Sequence, residues 1–342
     1  MKVLMLTNQY PTSARPQTNP AVLHQERGLR SLGVDVEVLH VDRASRGRSA
    51  YAGLIPALLS RWRRGGYDLL HVQFGGFEAL AGALVARDRA VLTFHGTDLH
   101  GGGAPSPVRL APRISVSCSR MAALLAGGVI VVSPTLLPFL QPSVRRRAQV
   151  IPTGVDYDLF QPQPIEAARA ELGLDPSGSV VLFSDVSGSS LGKATVKRRD
   201  LALAAVDRAR ERDSSTRLLV LSQQPYWRVP LYLNAANCLL VTSDAEGSPN
   251  IVKEALAVNL PVVSVDVGDV ALRCHGVPNC QIVPRDPELL AQAVLRAFAM
   301  GRALGGRDLK RDEISIEHVC GALVSYYHTV LLRPACRGSN ES

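Results

Sequence analysis

Residues Cys238–Asp269, CLLVTSDAEGSPNIVKEALAVNLPVVSVDVGD, contain one complete repeat of a parallel α/β sheet. Cys238–Val241 is an apolar run of strand length, Pro249–Val258 has helical spacing, and Pro261–Ser264 is a second apolar strand. Pro249 suits the first turn of the helix, with Ser248 or Gly247 as its cap. Strands without polar alternation are those buried on both faces, and parallel neighbours need a helical crossover of this kind.

The same alternation continues in both directions. Downstream lie a strand at Gln281–Val283 and helices at Pro287–Met300 and Ser315–Leu332. Upstream, strands at Ser179–Phe183 and Arg217–Leu221 alternate with helices near Leu201–Arg212 and Pro230–Ala236. The first half repeats the theme, with strands at Val3–Thr7, Val34–Val41, Leu69–Gln73, Ala90–Phe94, Val129–Val132 and Gln149–Ile151. Its helical stretches are Ala21–Leu32, Leu54–Arg64, Glu78–Ala86 and Val108–Ala126. The pattern predicts an α/β protein of two doubly wound, parallel-sheet domains. A length of 342 residues agrees, because one core rarely grows so large. The Pro-rich segment IPTGVDYDLFQPQP places the boundary: domains at 1–152 and 153–314, a closing helix at 315–332 free to pack back on the first, and a frayed tail at 333–342.

Composition removes several classes. The six cysteines form no C-x-x-C pair or zinc-like spacing, which points to reduced thiols and a cytoplasmic protein. The N-terminal apolar run is too short for a signal peptide, and no stretch approaches the roughly 20 apolar residues of a membrane span. Residues 1–150 hold 18 Lys/Arg against 8 Asp/Glu, a net +10, while the remainder, with 20 against 22, is −2, so the excess positive charge lies in the first half. This asymmetry suits an anionic partner such as a lipid surface, and Leu54–Arg64, amphipathic with three arginines, is a candidate for peripheral membrane contact. A nucleic-acid groove would need stacking aromatics, which are only 5% here and follow core-like positions.

Chemistry concentrates after the strands. Open α/β sheets bind ligands beyond the carboxyl ends of their strands. There stand NQYPTSARPQTNP and HGTDLHGGG in the first half, and SDVSGSSLGKATVKRR, TSDAEGSPN and DVGDV in the second, loops expected to line one cleft. Glu246 and Glu254 lie eight positions apart, near one helix face, and the helix N-terminus offers amides and a positive dipole end to a diphosphate.

The pattern E-G-x-x-x-x-x-K-E-A-L-A-x-x-L-P-V-V, from Glu246 through Glu254, resembles the E-x7-E signature of the retaining glycosyltransferases of family 4. Ile151-Pro152-Thr153-Gly154-Val155-Asp156 with Phe160 resembles their interdomain segment, Thr93–Asp98 their histidine-bearing loop, and Tyr10-Pro11 with Leu29 and Gly33 their opening unit. The resemblance implies the GT-B fold, two facing Rossmann-like domains, and transfer of a sugar from a nucleotide-sugar donor. It implies that Glu254 holds the ribose, and that Glu246 and the Gly247, Ser248, Pro249, Asn250 and Ile251 backbone receive sugar and phosphates. It also implies that His95 meets the donor sugar and Lys197 the diphosphate. Family members carry an arginine before that lysine; here Lys193 or Arg198 would stand in. Asn19-Pro20 replaces a common glycine, and Tyr10, Asn19, His71 and Asp98 are candidates for the acceptor, a glycan, lipid-linked or small-molecule hydroxyl compound. Two basic residues and a helix N-terminus can neutralise the leaving group, and no D-x-D triplet is read as a Mg²⁺ site, so neither metal nor cofactor is expected. A lapsed, epimerase-like or phosphorylase-like protein on the same fold and a two-lobed binding protein are the alternatives.

Overall fold

The computed structural model describes residues 1–12, 18, 20–101, 110–185, 194–302 and 304–333. Among them the chain forms two compact units. One takes Met1–Tyr10, Ala21–Pro152 and the chain from Val319; the other takes Pro11–Pro20 and Thr153–His318.

The first unit is built on six parallel strands: β1 (Lys2–Thr7), β2 (Asp35–His40), β3 (Leu69–Gln73), β4 (Ala90–Phe94), β5 (Gly128–Val131) and β6 (Gln149–Val150). Their order is β2-β1-β3-β4-β5-β6. The chain steps from β1 out to β2, then recrosses to β3 and proceeds in the other direction. Right-handed crossovers put helices of the two directions on opposite faces. Pro20–Ser31 therefore covers one face, while Leu54–Gly65, Phe77–Ala86 and Leu110–Leu125 pack side by side on the other. The helix Ile316–Leu332 joins Pro20–Ser31, with Cys320 Sγ 3.6 Å from the Gln25 carbonyl. Its Tyr326 hydroxyl accepts the Val129 N–H at 2.9 Å, and its Tyr327 hydroxyl lies 2.6 Å from His71 Nδ1.

The second unit has five parallel strands: β7 (Val180–Ser184), β8 (Arg217–Leu221), β9 (Cys238–Val241), β10 (Val262–Ser264) and β11 (Gln281–Ile282). Their order is β11-β10-β9-β7-β8. The direction of winding reverses between β7 and β9, so the switch point lies at the centre of the sheet. The chain enters and leaves this unit side by side: Val155 N–H donates to the Ile314 carbonyl and Ile316 N–H to the Val155 carbonyl, both at 2.8 Å. Gly154 is required there, since a Cβ would stand 2.8 Å from Ile316 Cα.

Three local differences from the sequence expectation have physical causes. The helix expected from Pro249 runs Asn250–Ala257; Pro249 is its cap, at φ −66°, ψ 119°, and no side chain caps it. Ser248 Oγ instead accepts from Lys253 Nζ at 3.2 Å. The helices Ile165–Leu172 and Gly306–Ile314 lie outside the expected set: both are short with few buried apolar positions, and an arginine helps to anchor each. Arg169 is buried and donates to the Ala235 carbonyl (3.0 Å) and Asn237 Oδ1 (2.7 Å). Arg307 donates to the Tyr157 and Ala257 carbonyls, both at 2.7 Å, and covers the Tyr157 ring.

Candidate active site

In the second unit a small pocket, partly open to solvent, sits at the carboxyl ends of β7 and β9. Phe183, Lys197, Thr242, Glu246, Pro249 and Ile251 are among its lining residues. Lys197 ends the helical turn Ala194–Lys197, and Arg198 follows in the left-handed region at φ 50°. The Thr242 hydroxyl fixes this turn against the Lys197 carbonyl (2.8 Å) and the Arg198 carbonyl (2.9 Å). The Lys197 ammonium thereby meets Glu246 Oε1 at 2.7 Å, in an ion pair about one-fifth exposed. Glu246–Gly247 is backed by Gly268, at φ 58°, where a Cβ would stand 2.7 Å from the Gly247 carbonyl oxygen. Beside this pair begins the helix Asn250–Ala257, whose side-chain-uncapped first turn presents the positive end of its dipole. A cation, a carboxylate and a helix N-terminus at one pocket can hold an anionic group next to a hydroxyl-rich one.

Farther along that helix Glu254 is buried, and its Oε1 accepts the Tyr226 hydroxyl at 2.9 Å. Burial, and then the Glu254 charge, push the Tyr226 phenol well above its ordinary range, so it stays a donor. Lys253 is fully buried and donates to Thr153 Oγ1 and Ser248 Oγ, while Thr153 Oγ1 donates to Asn250 Oδ1 at 2.5 Å. Burial lowers the Lys253 ammonium to about 7. This cluster ties the first residue of the second unit to both sides of the helix start.

Arg198 does not face the pocket as a free clamp; its guanidinium engages Asp200 (2.8 Å) and Asp244 (3.3 Å). Arg285, not singled out from sequence, also reaches Asp244 and donates to the Ser243 carbonyl at 3.0 Å. Lys193 and Asn19 lie outside the described residues. The chain does contain one D-x-D triplet, Asp156-Tyr157-Asp158. It serves a turn: Asp156 Oδ1 accepts the Asp158 and Leu159 N–H groups, each at 3.0 Å, and Tyr157 is buried.

In the first unit, His95 follows β4. Its Nε2 lies 3.0 Å from Gln73 Oε1, which assigns the ring proton to Nε2, and its ring stacks on Phe74 at 4.1 Å. Phe74 occupies φ 76°, an uncommon conformation for a bulky residue, held by its N–H bond to the Thr93 carbonyl (3.0 Å). Asp98 turns inward: its oxygens accept N–H groups of Gly75 (2.9 Å), Gly96 (2.7 Å) and His95 (3.1 Å). It clamps the loops after β3 and β4 together. His71 corrects an expectation, for it is fully buried between the Tyr327 hydroxyl and Thr93 Oγ1 (2.7 Å) and cannot touch an acceptor. Burial lowers it to about 3. Tyr10 donates to Glu26, and burial together with that carboxylate pushes its phenol up to about 12.

Two family models match the chain: Glycosyltransferase Family 4 over residues 19–159 and Glycosyl transferases group 1 over residues 195–300. TuaC of Bacillus subtilis (strain 168), a glycosyltransferase assigned to teichuronic acid biosynthesis, is 25% identical, with 86% of this chain and 89% of TuaC covered. Sucrose-phosphate synthase from Thermosynechococcus elongatus superposes with a TM-score of 0.75 at 17% identity, covering 96% of this chain and 99% of that one. HepE of Anabaena, solved with UDP and glucose, superposes at 0.65 with 16% identity, covering 96% and 100%. The chain has the GT-B fold, and the two models, the relative and the shared architecture together support a family-4-like glycosyltransferase.

Proposed function

We propose that the protein transfers a sugar from a nucleoside diphosphate sugar, UDP-linked in the first instance, to a hydroxyl group with retention of anomeric configuration and without a metal ion. The observation that carries this reading is the Lys197–Glu246 pair beside the uncapped helix start, at the β7/β9 switch point. Lys197 and the first-turn amides take the diphosphate; Glu246 with the Gly247–Asn250 backbone takes the sugar hydroxyls. Glu254, held by Tyr226, takes the ribose. His95 contacts the transferred sugar, with Asp98 and Phe74 as positioning residues for its loop. The solved complex of HepE with UDP and glucose supports a donor of this class. The acceptor is a glycan, lipid-linked or small-molecule hydroxyl.

The acceptor oxygen attacks the anomeric carbon on the face from which the diphosphate departs. The bond from that carbon to the phosphate oxygen breaks, its electron pair staying on the phosphate, and that oxygen takes the acceptor proton. No side chain forms a covalent intermediate. Lys197 and the helix dipole meet the charge as it develops, where fixed groups stabilise most effectively.

With UDP-glucose, UDP-N-acetylglucosamine and UDP-galactose, and water as surrogate acceptor, UDP release from the preferred donor is expected to survive EDTA within twofold. Proton NMR of the freshly released sugar is expected to show the donor's α configuration. Activity abolished by EDTA and restored by Mg²⁺, or a β product, contradicts the reading.

A further inference from the structure

The outer surface of the three-helix layer of the first unit takes no part in the chemistry above. Leu54–Gly65, Phe77–Ala86 and Leu110–Leu125 bury one side each against the sheet, through residues such as Leu58, Ala79, Ala83 and Ala122. Their solvent sides expose Arg63, Arg64, Arg113 and Arg120. The only carboxylate on the three helices, Glu78, is buried beneath Asn8 and Tyr51. Apolar side chains stand exposed among these cations: Leu84 at 51%, Ile114 at 55% and Met121 at 53%, with Phe77 and Leu124 beside them. Spacings of seven residues place Ile114 with Met121, and Phe77 with Leu84, on single stripes of their helices. The two helices are joined where the Gly76 N–H donates to Ser119 Oγ at 2.8 Å, so the stripes are neighbours.

We propose that this face docks the protein on an anionic lipid surface. Apolar side chains flanked by arginines and free of exposed carboxylates match a helix layer lying in a bilayer interface. Guanidinium groups bind phosphate in bidentate fashion, so four of them suit a field of lipid headgroups. Charge of one sign fixes no register, whereas a protein partner is positioned by complementary charges of both signs. A laterally uniform, negatively charged surface is the occupant this face fits. The proposal is independent of the transfer chemistry.

Sedimentation of the full chain with phosphatidylcholine vesicles, and with vesicles enriched in phosphatidylglycerol, tests it. Binding to the anionic vesicles alone is expected. It should weaken at least tenfold in Arg113→Gln/Arg120→Gln and in Ile114→Ser/Met121→Ser, and stay unchanged in Arg208→Gln/Arg212→Gln, which removes the same charge from the second unit. Unchanged thermal midpoint and UDP affinity in each variant would show that folding and the donor site are intact. No binding to anionic vesicles, equal loss in the second-unit variant, or vesicle binding indifferent to both face variants overturns the proposal. The last outcome would direct attention to an acidic protein partner.

Discussion

Lys197→Ala is expected to lower kcat by about two to three orders of magnitude, the cost of removing one preorganised group that stabilises developing charge. The ion pair holds Nζ 2.7 Å from Glu246 in a site only about one-fifth exposed, so the cation is positioned before substrate arrives. Its loss leaves the Glu246 carboxylate facing the incoming diphosphate, and like-charge repulsion should raise the donor KM as well. Lys197→Arg should recover part of kcat, because charge is restored while the Thr242-fixed geometry is not matched. The thermal midpoint should change little, since the pair is partly solvated and such pairs contribute modestly to stability. Steady-state UDP release measures both parameters. A kcat within threefold of the native value would remove Lys197 from the charge-stabilising role.

The second large effect concerns stability. Native His71 titrates near 3 because burial excludes its charged form, whereas an unfolded histidine titrates near 6.5. Below pH 6.5 the unfolded chain takes up a proton that the native state refuses. The contribution of His71 to stability is thus complete above pH 6.5 and declines as pH falls toward 3, by about 3 kcal/mol at pH 4. Carboxylates titrate in the same range, so the measurement is a difference between native protein and His71→Gln. Urea denaturation at pH 7, 5.5 and 4, followed by Trp62 fluorescence in a Trp227→Phe background, isolates the first unit. His71→Gln should be less stable at pH 7, because the Tyr327 and Thr93 hydroxyls lose their shared partner, and the gap should close as pH falls. Parallel curves at all three pH values would contradict the assignment.

Much of the fold was legible because parallel strands are apolar without alternation. Leu69–Gln73, Ala90–Phe94, Arg217–Leu221 and Cys238–Val241 stand where their runs placed them, as does the helix Pro287–Met300. Hydrophobic periodicity could not find Gly306–Ile314, whose seam is Arg307 reaching carbonyls of Tyr157 and Ala257, residues distant in sequence. Spacing alone did not distinguish Glu246 from a surface carboxylate; the ordered motifs of the resemblance singled it out, and the tertiary fold supplies Lys197 from 49 positions away. Tyr226 and Arg285 carried no local signal beyond their places in loops after β8 and β11. Buried His71 shows the opposite limit: a polar residue within a continuously buried strand looks the same in sequence whether it faces a ligand or pairs with Tyr327 in the core.

Calorimetric titration of UDP, GDP and ADP into the native protein and into Glu254→Ala tests the central claim, that the second unit holds the donor nucleotide. Micromolar binding of one nucleotide, UDP by expectation, and at least tenfold weaker binding in Glu254→Ala is the expected result. Absence of binding by all three, or equal affinity in the variant, would contradict a donor site on the Glu246–Glu254 helix.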